Sequence, residues 1–304
     1  MIDVENLTKD YGTLTAVDGL SLHVNEGEVF GFLGPNGAGK TTTVRMLCCL
    51  ISRTRGTARI DDYDITNKED QKKIRRIIGL LPENVGLYDD LSPLRNLDFF
   101  GRLYKCPESQ RTERAGYFLR MLDLWEKRDV PAGTLSKGMK QKLAIARALI
   151  HDPQVLFLDE PTANLDPEAS KTVRDFILEL KKEKRTIFLN THNLDEADRI
   201  CDRVAIMKTK LIAVDSPENM RHSLWGRQTI IQLETVNDEI VEAVKRAKPR
   251  SLDVDDGRLV IGVSDPEKDN PDIVKAISAA GGRIQFVTES RPTLEDVYLK
   301  LVGG

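Results

Sequence analysis

Gly34-Pro35-Asn36-Gly37-Ala38-Gly39-Lys40-Thr41-Thr42 has the spacing G-x-x-x-x-G-K-[ST], a loop built to hold phosphate. Glycines at 34, 37 and 39 let the backbone curl so that successive N–H groups converge on phosphate oxygens. Lys40 brings a mobile cation to the outer phosphates, and Thr41 brings a hydroxyl to a metal. The chemistry implied is the handling of a nucleoside triphosphate with Mg²⁺. A second set of oxygens stands at Asp159-Glu160, between the apolar run Val155-Leu156-Phe157-Leu158 and Pro161. Ligands of open α/β sheets lie outside the carboxyl ends of the strands. Asp159 is therefore placed to hold the metal through water, and Glu160 to polarise an attacking water.

These residues need strands and helix starts to position them. Glu28 to Leu33 reads as a short buried strand entering the loop, and Thr41 to Leu50, with Val44, Leu47 and Cys48 at helical spacing, as a helix whose N-terminus favours an anion. Leu135-Ser136-Lys137-Gly138-Met139-Lys140-Gln141-Lys142 precedes Leu143, Ile145, Ala146, Leu149 and Ile150 at the same spacing, so Ser136 and Gly138 fall at another helix start. Thr186 to Leu189 is a strand that delivers Asn190-Thr191-His192. Residues from about 84 to 150 read as mainly helical, with Ser92-Pro93 as N-cap and first turn and Leu94, Leu97, Phe100 and Tyr104 along one face.

Composition sets the limits. A chain of 304 residues predicts one large domain and a smaller one. A formal net charge of −3, with 31% charged residues, describes an ordinary surface and disfavours a general nucleic-acid binder. Cys48, Cys49, Cys106 and Cys201 form no C-x-x-C pair and read as reduced thiols of a cytosolic protein. No apolar stretch approaches the ~20 residues of a membrane span, and the first residues lack the regions of a signal peptide. Any membrane role is expected to come from a partner.

The ordered set of motifs over residues 1 to about 215 resembles the ATP-binding cassette (ABC) proteins. In that likeness Leu135 to Met139 matches the signature, Ala163-Asn164-Leu165-Asp166 the D-loop, His192 the switch histidine, and Tyr11 the aromatic residue on which adenine stacks. The resemblance implies an α/β fold: a P-loop NTPase cassette with a RecA-like core plus antiparallel β and helical subdomains, the helical one at about 84–150. It implies a head-to-tail dimer with a second copy of the chain, in which ATP lies between one phosphate loop and Ser136 and Gly138 of the other. The expected nucleotide-binding set is Tyr11, Gly34, Pro35, Asn36, Gly37, Ala38, Gly39, Lys40, Thr41, Thr42, Glu83, Ser136, Gly138 and Asp166. Lys40, Glu160 and His192 are the expected catalytic residues, and Thr41, Asp159 and Glu83 the expected Mg²⁺ ligands.

Two positions depart from the family pattern. The signature carries Lys137 and Met139 in place of a glycine and a glutamine, and Glu83 replaces the Q-loop glutamine after Ile78-Gly79-Leu80-Leu81-Pro82. Both variants resemble a subgroup that serves ABC-2-type exporters and drug resistance. Val85, Leu87 and Tyr88 are candidate contacts for a permease helix, with core packing as the other reading. Beyond Trp225-Gly226 a β-α-β-β-α-β order, with strands near 229–233, 252–263 and 283–287, helices at 238–247 and 271–280 and a hairpin turning at Asp255-Asp256-Gly257, predicts a ferredoxin-like α+β domain. The domains are thus expected at 1–224 and 225–304, and the closing Pro292 to Leu299 is similar to the C-terminal helix of exporters like the daunorubicin-resistance ATPase. The resemblance implies an ATPase subunit on the inner face of the cell membrane, driving separate permease subunits and binding no nucleic acid. An import cassette, or a non-transport ABC ATPase acting on ribosomes or DNA, is the alternative.

Overall fold

Two long strands, β1 (Ile2–Tyr11) and β2 (Leu14–Val24), precede the fully buried β3 (Val29–Leu33), which leads into the glycine-rich loop. α1 (Lys40–Leu47) leaves that loop, and β4 (Arg55–Ile60), β5 (Tyr63–Asp64), α2 (Lys68–Ile77) and β6 (Ile78–Leu81) follow. Three helices, α3 (Pro93–Leu103), α4 (Glu108–Met121) and α5 (Lys137–Leu149), intervene before β7 (Val155–Asp159). α6 (Pro167–Lys182), β8 (Thr186–Thr191), α7 (Leu194–Ile200), β9 (Arg203–Lys208) and β10 (Lys210–Asp215) complete a unit spanning Met1–Ser216. The structure is a computed structural model that describes residues 1–82, 84–163, 165–255, 257–290 and 292–303.

Six strands in the order β10-β9-β3-β8-β7-β6 form the central sheet, parallel from β9 to β6 with β10 antiparallel at the edge. Parallel strands covered on both faces must be apolar on both, and the alternation along them sorts two cores. Leu156 and Leu158 of β7 and Ile187 and Leu189 of β8 join Leu143, Ile145, Leu149 and Phe176 under the helical layer. Val155, Phe157 and Phe188 face the other way with Phe30, Phe32, Val44 and Leu47. Phe188 lies 5.2–5.6 Å, centroid to centroid, from Phe30, Phe32 and Phe157. That second core is closed by the antiparallel sheet β2-β1-β4-β5, through Ile2, Leu7, Leu20 and Ile60. The consequence for function is topological: the carboxyl ends of β3, β6, β7 and β8 share one edge, so the loops that follow them converge.

Helix starts carry their own explanation. Ser92 caps α3 by accepting the Arg95 N–H, with Pro93 in the first turn. α1 is shorter than the predicted 41–50 and gives way at Cys48, after which Cys49 takes a left-handed φ of 56°. Val85 and Leu87 pack against the helical-side core, whereas Tyr88 is exposed, with its ring 4.9 Å from that of Phe99.

The second unit, Pro217–Gly304, contains α8 (Pro217–Trp225), β11 (Arg227–Leu233), α9 (Asp238–Arg246), β12 (Ser251–Asp255), β13 (Arg258–Val263), α10 (Pro266–Ala279), β14 (Ile284–Glu289) and α11 (Leu294–Val302). Its antiparallel sheet has the order β12-β13-β11-β14, the ferredoxin-like arrangement, over a core of Ile231, Leu259, Ile261, Ile240, Ile273 and Ile277. The unit begins at Pro217 rather than 225, so α8 falls within it, where the Lys300 ammonium of α11 donates to the Leu224 carbonyl and lies over the Trp225 ring. α10 starts earlier than the predicted 271. Asp265 caps it and Pro266 occupies its first turn, leaving Pro271 inside the helix. The predicted hairpin turn includes Asp256, which lies outside the described residues.

Candidate functional site

Two of the three glycines of the phosphate loop are dictated by contact. A Cβ on Gly34 would stand 2.3 Å from the Met207 carbonyl oxygen, and one on Gly39, at φ 96°, would stand 2.2 Å from that of Ala16. At Gly34 and Gly39 the loop therefore lies against the neighbouring backbone with no room for a side chain, whereas Gly37 has open space and a left-handed φ of 81°. The Thr209 N–H donates to the Ala38 carbonyl at 3.0 Å and holds it there. Lys40, only 7% exposed, donates from Nζ to the carbonyls of Gly34 (2.7 Å) and Pro35 (3.2 Å), folding back over the loop. Burial lowers its pKa, opposed by the carboxylates of Glu160 and Asp159. A cation restrained by neutral carbonyls is ready to exchange them for phosphate oxygens.

Asp159 ends β7 and is 4% exposed. Thr41 Oγ1 donates to its Oδ2 at 3.3 Å, and the Asn190 side-chain amide donates to its Oδ1. This pairing of a hydroxyl and a carboxylate is a hard-oxygen set of the kind Mg²⁺ takes. Glu160 then adopts a left-handed backbone, φ 51°, with its N–H on the Asn190 carbonyl at 2.8 Å. For a non-glycine residue such a conformation costs of order 1–3 kcal/mol and clusters at functional sites. Its Oε1 meets His192 Nδ1 at 2.7 Å and its Oε2 lies 3.4 Å from Thr191 Oγ1. A carboxylate only accepts, so Nδ1–H is the donor, and Nε2 of a ring that is 64% exposed is left for another partner.

A cleft of about 340 Å³ gathers these groups. Tyr11, Leu14, Ala16, Asn36 to Thr42, Asp159, Glu160 and Asn190 line it. Tyr11 is 48% exposed, and Lys9 Nζ stands 4.9 Å from its ring centre. Five described members of the expected nucleotide-binding set are absent from the lining: Gly34 and Pro35, whose carbonyls accept from Lys40, and Ser136, Gly138 and Asp166. Ser136 caps α5, its Oγ accepting the Met139 N–H at 3.2 Å, Gly138 follows in the first turn, and Asp166 caps α6 through the Ala169 N–H at 2.8 Å. The predicted place of Ser136 and Gly138 is opposite the loop of a second copy, which a single chain does not contain. Glu83 and Asn164 lie outside the described residues.

Sequence reasoning missed four contributors. In the sequence Asn190 stands out only as part of the Asn-Thr-His run, yet it lines the cleft and holds Asp159. Gln141, in the second turn of α5, reaches the Glu160 carbonyl at 3.5 Å. Glu196 and Thr162 sit next to Glu160. Asn193-Leu194-Asp195-Glu196 reads as an ordinary helix-capping run, and Asn193 does cap α7, but the Glu196 carboxyl turns inward and is 1% exposed.

Residues 17–163 match the family profile described as ABC transporter, and 216–302 match that of the ATP-binding protein DrrA1-3-like, C-terminal domain. The Nod factor export ATP-binding protein I of Cupriavidus metallidurans is 34% identical over 100% of this chain and 97% of its own length. The chain belongs to the ABC transporter ATP-binding family. As a member it is an ATP-binding subunit that hydrolyses ATP. The cassette is also 31% identical to the linearmycin resistance ATP-binding protein LnrL of Bacillus subtilis, over 100% of this chain and 98% of that protein. To the daunorubicin resistance ATP-binding protein DrrA3 of Streptomyces coeruleorubidus it is 34% identical, over 99% and 96%. Among solved structures, the dimeric post-hydrolysis state of the cassette MJ0796 bound to ADP and Pi superposes with a TM-score of 0.65 at 27% identity, covering 71% of this chain and 98% of that one. The cassette's second unit thus coincides with a domain that has its own family profile.

Proposed function

We propose that this cassette hydrolyses Mg²⁺-ATP between two copies of itself and thereby powers export through a separate membrane permease of the ABC-2 type, on whose cytoplasmic face it sits. The observation that carries the chemistry is the convergence of Lys40, Thr41, Asp159 and Glu160 on one cleft, with His192 hydrogen-bonded to Glu160. The export reading is supported by end-to-end similarity to export and resistance ATP-binding proteins, including the second unit. Among the described residues no helix is long and apolar enough to cross a membrane, which agrees with a partner supplying the passage.

Adenine stacks on Tyr11, and the phosphates lie along Asn36 to Thr42 at the start of α1, where converging N–H groups and the helix dipole favour negative charge. Lys40 leaves the Gly34 and Pro35 carbonyls for the outer phosphates. Thr41 and Asp159, with Glu83 as the third expected ligand, would hold Mg²⁺, which when bound neutralises phosphate charge. Glu160 accepts a hydrogen bond from the attacking water, and His192 is held by Glu160 so that Nε2 faces the γ-phosphate. Ser136 and Gly138 of the second copy approach that phosphate from the far side with the N-terminus of α5, and Asp166 lines the same junction. Positioning and electrostatics carry most of the rate in such chemistry.

Glu160→Gln is the direct test. It keeps shape and hydrogen bonding but weakens the base, so turnover is expected to fall about 100- to 1,000-fold while ATP binding persists and an ATP-bound dimer accumulates. Turnover like that of the unaltered protein would remove Glu160 from its role. The transport reading is tested by whether the chain associates with membranes and co-purifies with a membrane-spanning protein; association with ribosomes and none with membranes would overturn it.

A further inference from the structure

The Glu196 carboxyl is almost sealed from solvent, yet it is not placed for packing alone. Thr162 Oγ1 donates to its Oε2 at 2.9 Å, and Thr191 Oγ1 lies 3.3 Å from the same oxygen. Oε1 has no hydrogen-bond partner among the described residues. Thr162 is two residues beyond Glu160, and Thr191 immediately precedes His192. One carboxyl oxygen therefore ties the loop after β7 to the end of β8, next to the Glu160–His192 pair.

A proton count sharpens this. Thr191 accepts the Asn193 N–H at 3.0 Å and has a single hydroxyl proton to give. Two carboxyl oxygens compete for it, Glu196 Oε2 at 3.3 Å and Glu160 Oε2 at 3.4 Å. Given to Glu160, the proton fixes the rotation of that carboxylate so that its other oxygen meets His192. An ionised Glu196 competes for the proton, whereas one protonated at Oε2 donates to Thr191 while still accepting from Thr162. A buried charge with one oxygen unpartnered is costly. Burial pushes the Glu196 carboxyl above the usual carboxylate range and the Glu160 charge adds to this, against the Thr162 and Thr191 hydrogen bonds and Arg174.

We propose that Glu196 is a positioning residue of the hydrolytic site, whose carboxyl bridges Thr162 and Thr191 and so sets where Glu160 and His192 point. In that role it works uncharged, and a carboxamide replaces it. The inference rests on Glu160 and His192 being the hydrolytic pair.

The test uses the full chain, with ATPase rates normalised to nucleotide-binding sites, for Glu196→Ala, Glu196→Gln and Thr162→Val. Displacing reacting groups by a fraction of an ångström to an ångström lowers kcat, so Glu196→Ala and Thr162→Val are expected to lose about 10- to 100-fold in kcat. KM for ATP should stay within about threefold, the signature of an interaction felt in the transition state. Glu196→Gln can set its amide nitrogen at the Oε2 position and donate to both hydroxyls, leaving the Thr191 proton to Glu160, and should retain kcat within about threefold. Thr162→Val removes one hydroxyl without changing volume and decides the matter if Glu196→Ala does not fold. Unchanged kcat in Thr162→Val, or a Glu196→Gln variant as slow as Glu196→Ala, overturns the proposal. If Glu160→Gln turns over normally, the hydrolytic assignment itself fails; if Glu160→Gln is inactive and Thr162→Val is unaffected, only this inference does.

Discussion

Gly39→Ala concentrates the geometry of the phosphate loop into one number. Gly39 has φ 96° and ψ 4°, and an L-residue forced into left-handed space loses about 1–2 kcal/mol. The new Cβ would also sit 2.2 Å from the Ala16 carbonyl oxygen, well inside the 3.0 Å that Cβ contacts keep, with the Met207 and Val17 side chains at 3.0 Å leaving little room to retreat. Overpacking of this kind costs about 1–3 kcal/mol. Together the two effects predict a loss of roughly 2–5 kcal/mol, or about 5–15 °C in the thermal midpoint of a domain of this size. Moving the loop to relieve the overlap also shifts Lys40 and Thr41, and kcat/KM should fall about 100-fold. Gly19→Ala isolates the backbone part. Gly19 has φ 63° and nothing within 4 Å of its built Cβ, so only about 1–2 kcal/mol is at stake and ATPase activity should be preserved. Thermal unfolding and steady-state hydrolysis of the two variants give the comparison. If Gly39→Ala is no less stable than Gly19→Ala, or keeps full activity, the close approach to Ala16 does not constrain the loop and the reasoning fails.

Acid should weaken the fold through His151. Its ring stacks on Tyr104 at 3.7 Å, Nε2–H donates to the Ile78 carbonyl, and burial pulls its pKa down to about 4. The neutral ring belongs to the folded state. Its contribution is complete above the unfolded value of about 6.5 and is lost as pH falls towards 4, at most about 3 kcal/mol. His151→Phe should flatten that part of the stability profile in urea titrations between those pH values; an unchanged slope would count against it. Ser136→Ala should lower the midpoint by about 2–4 °C through loss of a helix cap. It should also lower turnover at every protein concentration, whereas specific ATPase activity of the unaltered chain should rise with its own concentration. Activity independent of concentration from nanomolar upward would argue against a site completed by a second copy.

Much of this site was legible because its residues are contiguous. The phosphate loop, Asp159-Glu160 and Asn190-Thr191-His192 each occupy a short stretch at the end of an apolar strand, and strand periodicity alone puts them at carboxyl ends. What escaped was whatever local pattern explains in two ways. Glu196 looks like a helix N-terminal acid, Gln141 like a surface residue of an amphipathic helix, and Pro271 like a helix start rather than a helix interior.

The sequence by itself determined the chemistry offered: a loop that can only be glycine-rich, a lysine and a threonine at a helix start, and carboxylates after a buried strand. Those are local facts, fixed by the allowed backbone angles and by side-chain chemistry. Only the tertiary structure decided which groups meet. The strand order β3-β8-β7 brings Asn190 onto Asp159, His192 onto Glu160 and the inward-turned Glu196 onto Thr162. The physical reason is that pairing of distant strands sets which loop ends are neighbours, and no spacing along the chain encodes that distance.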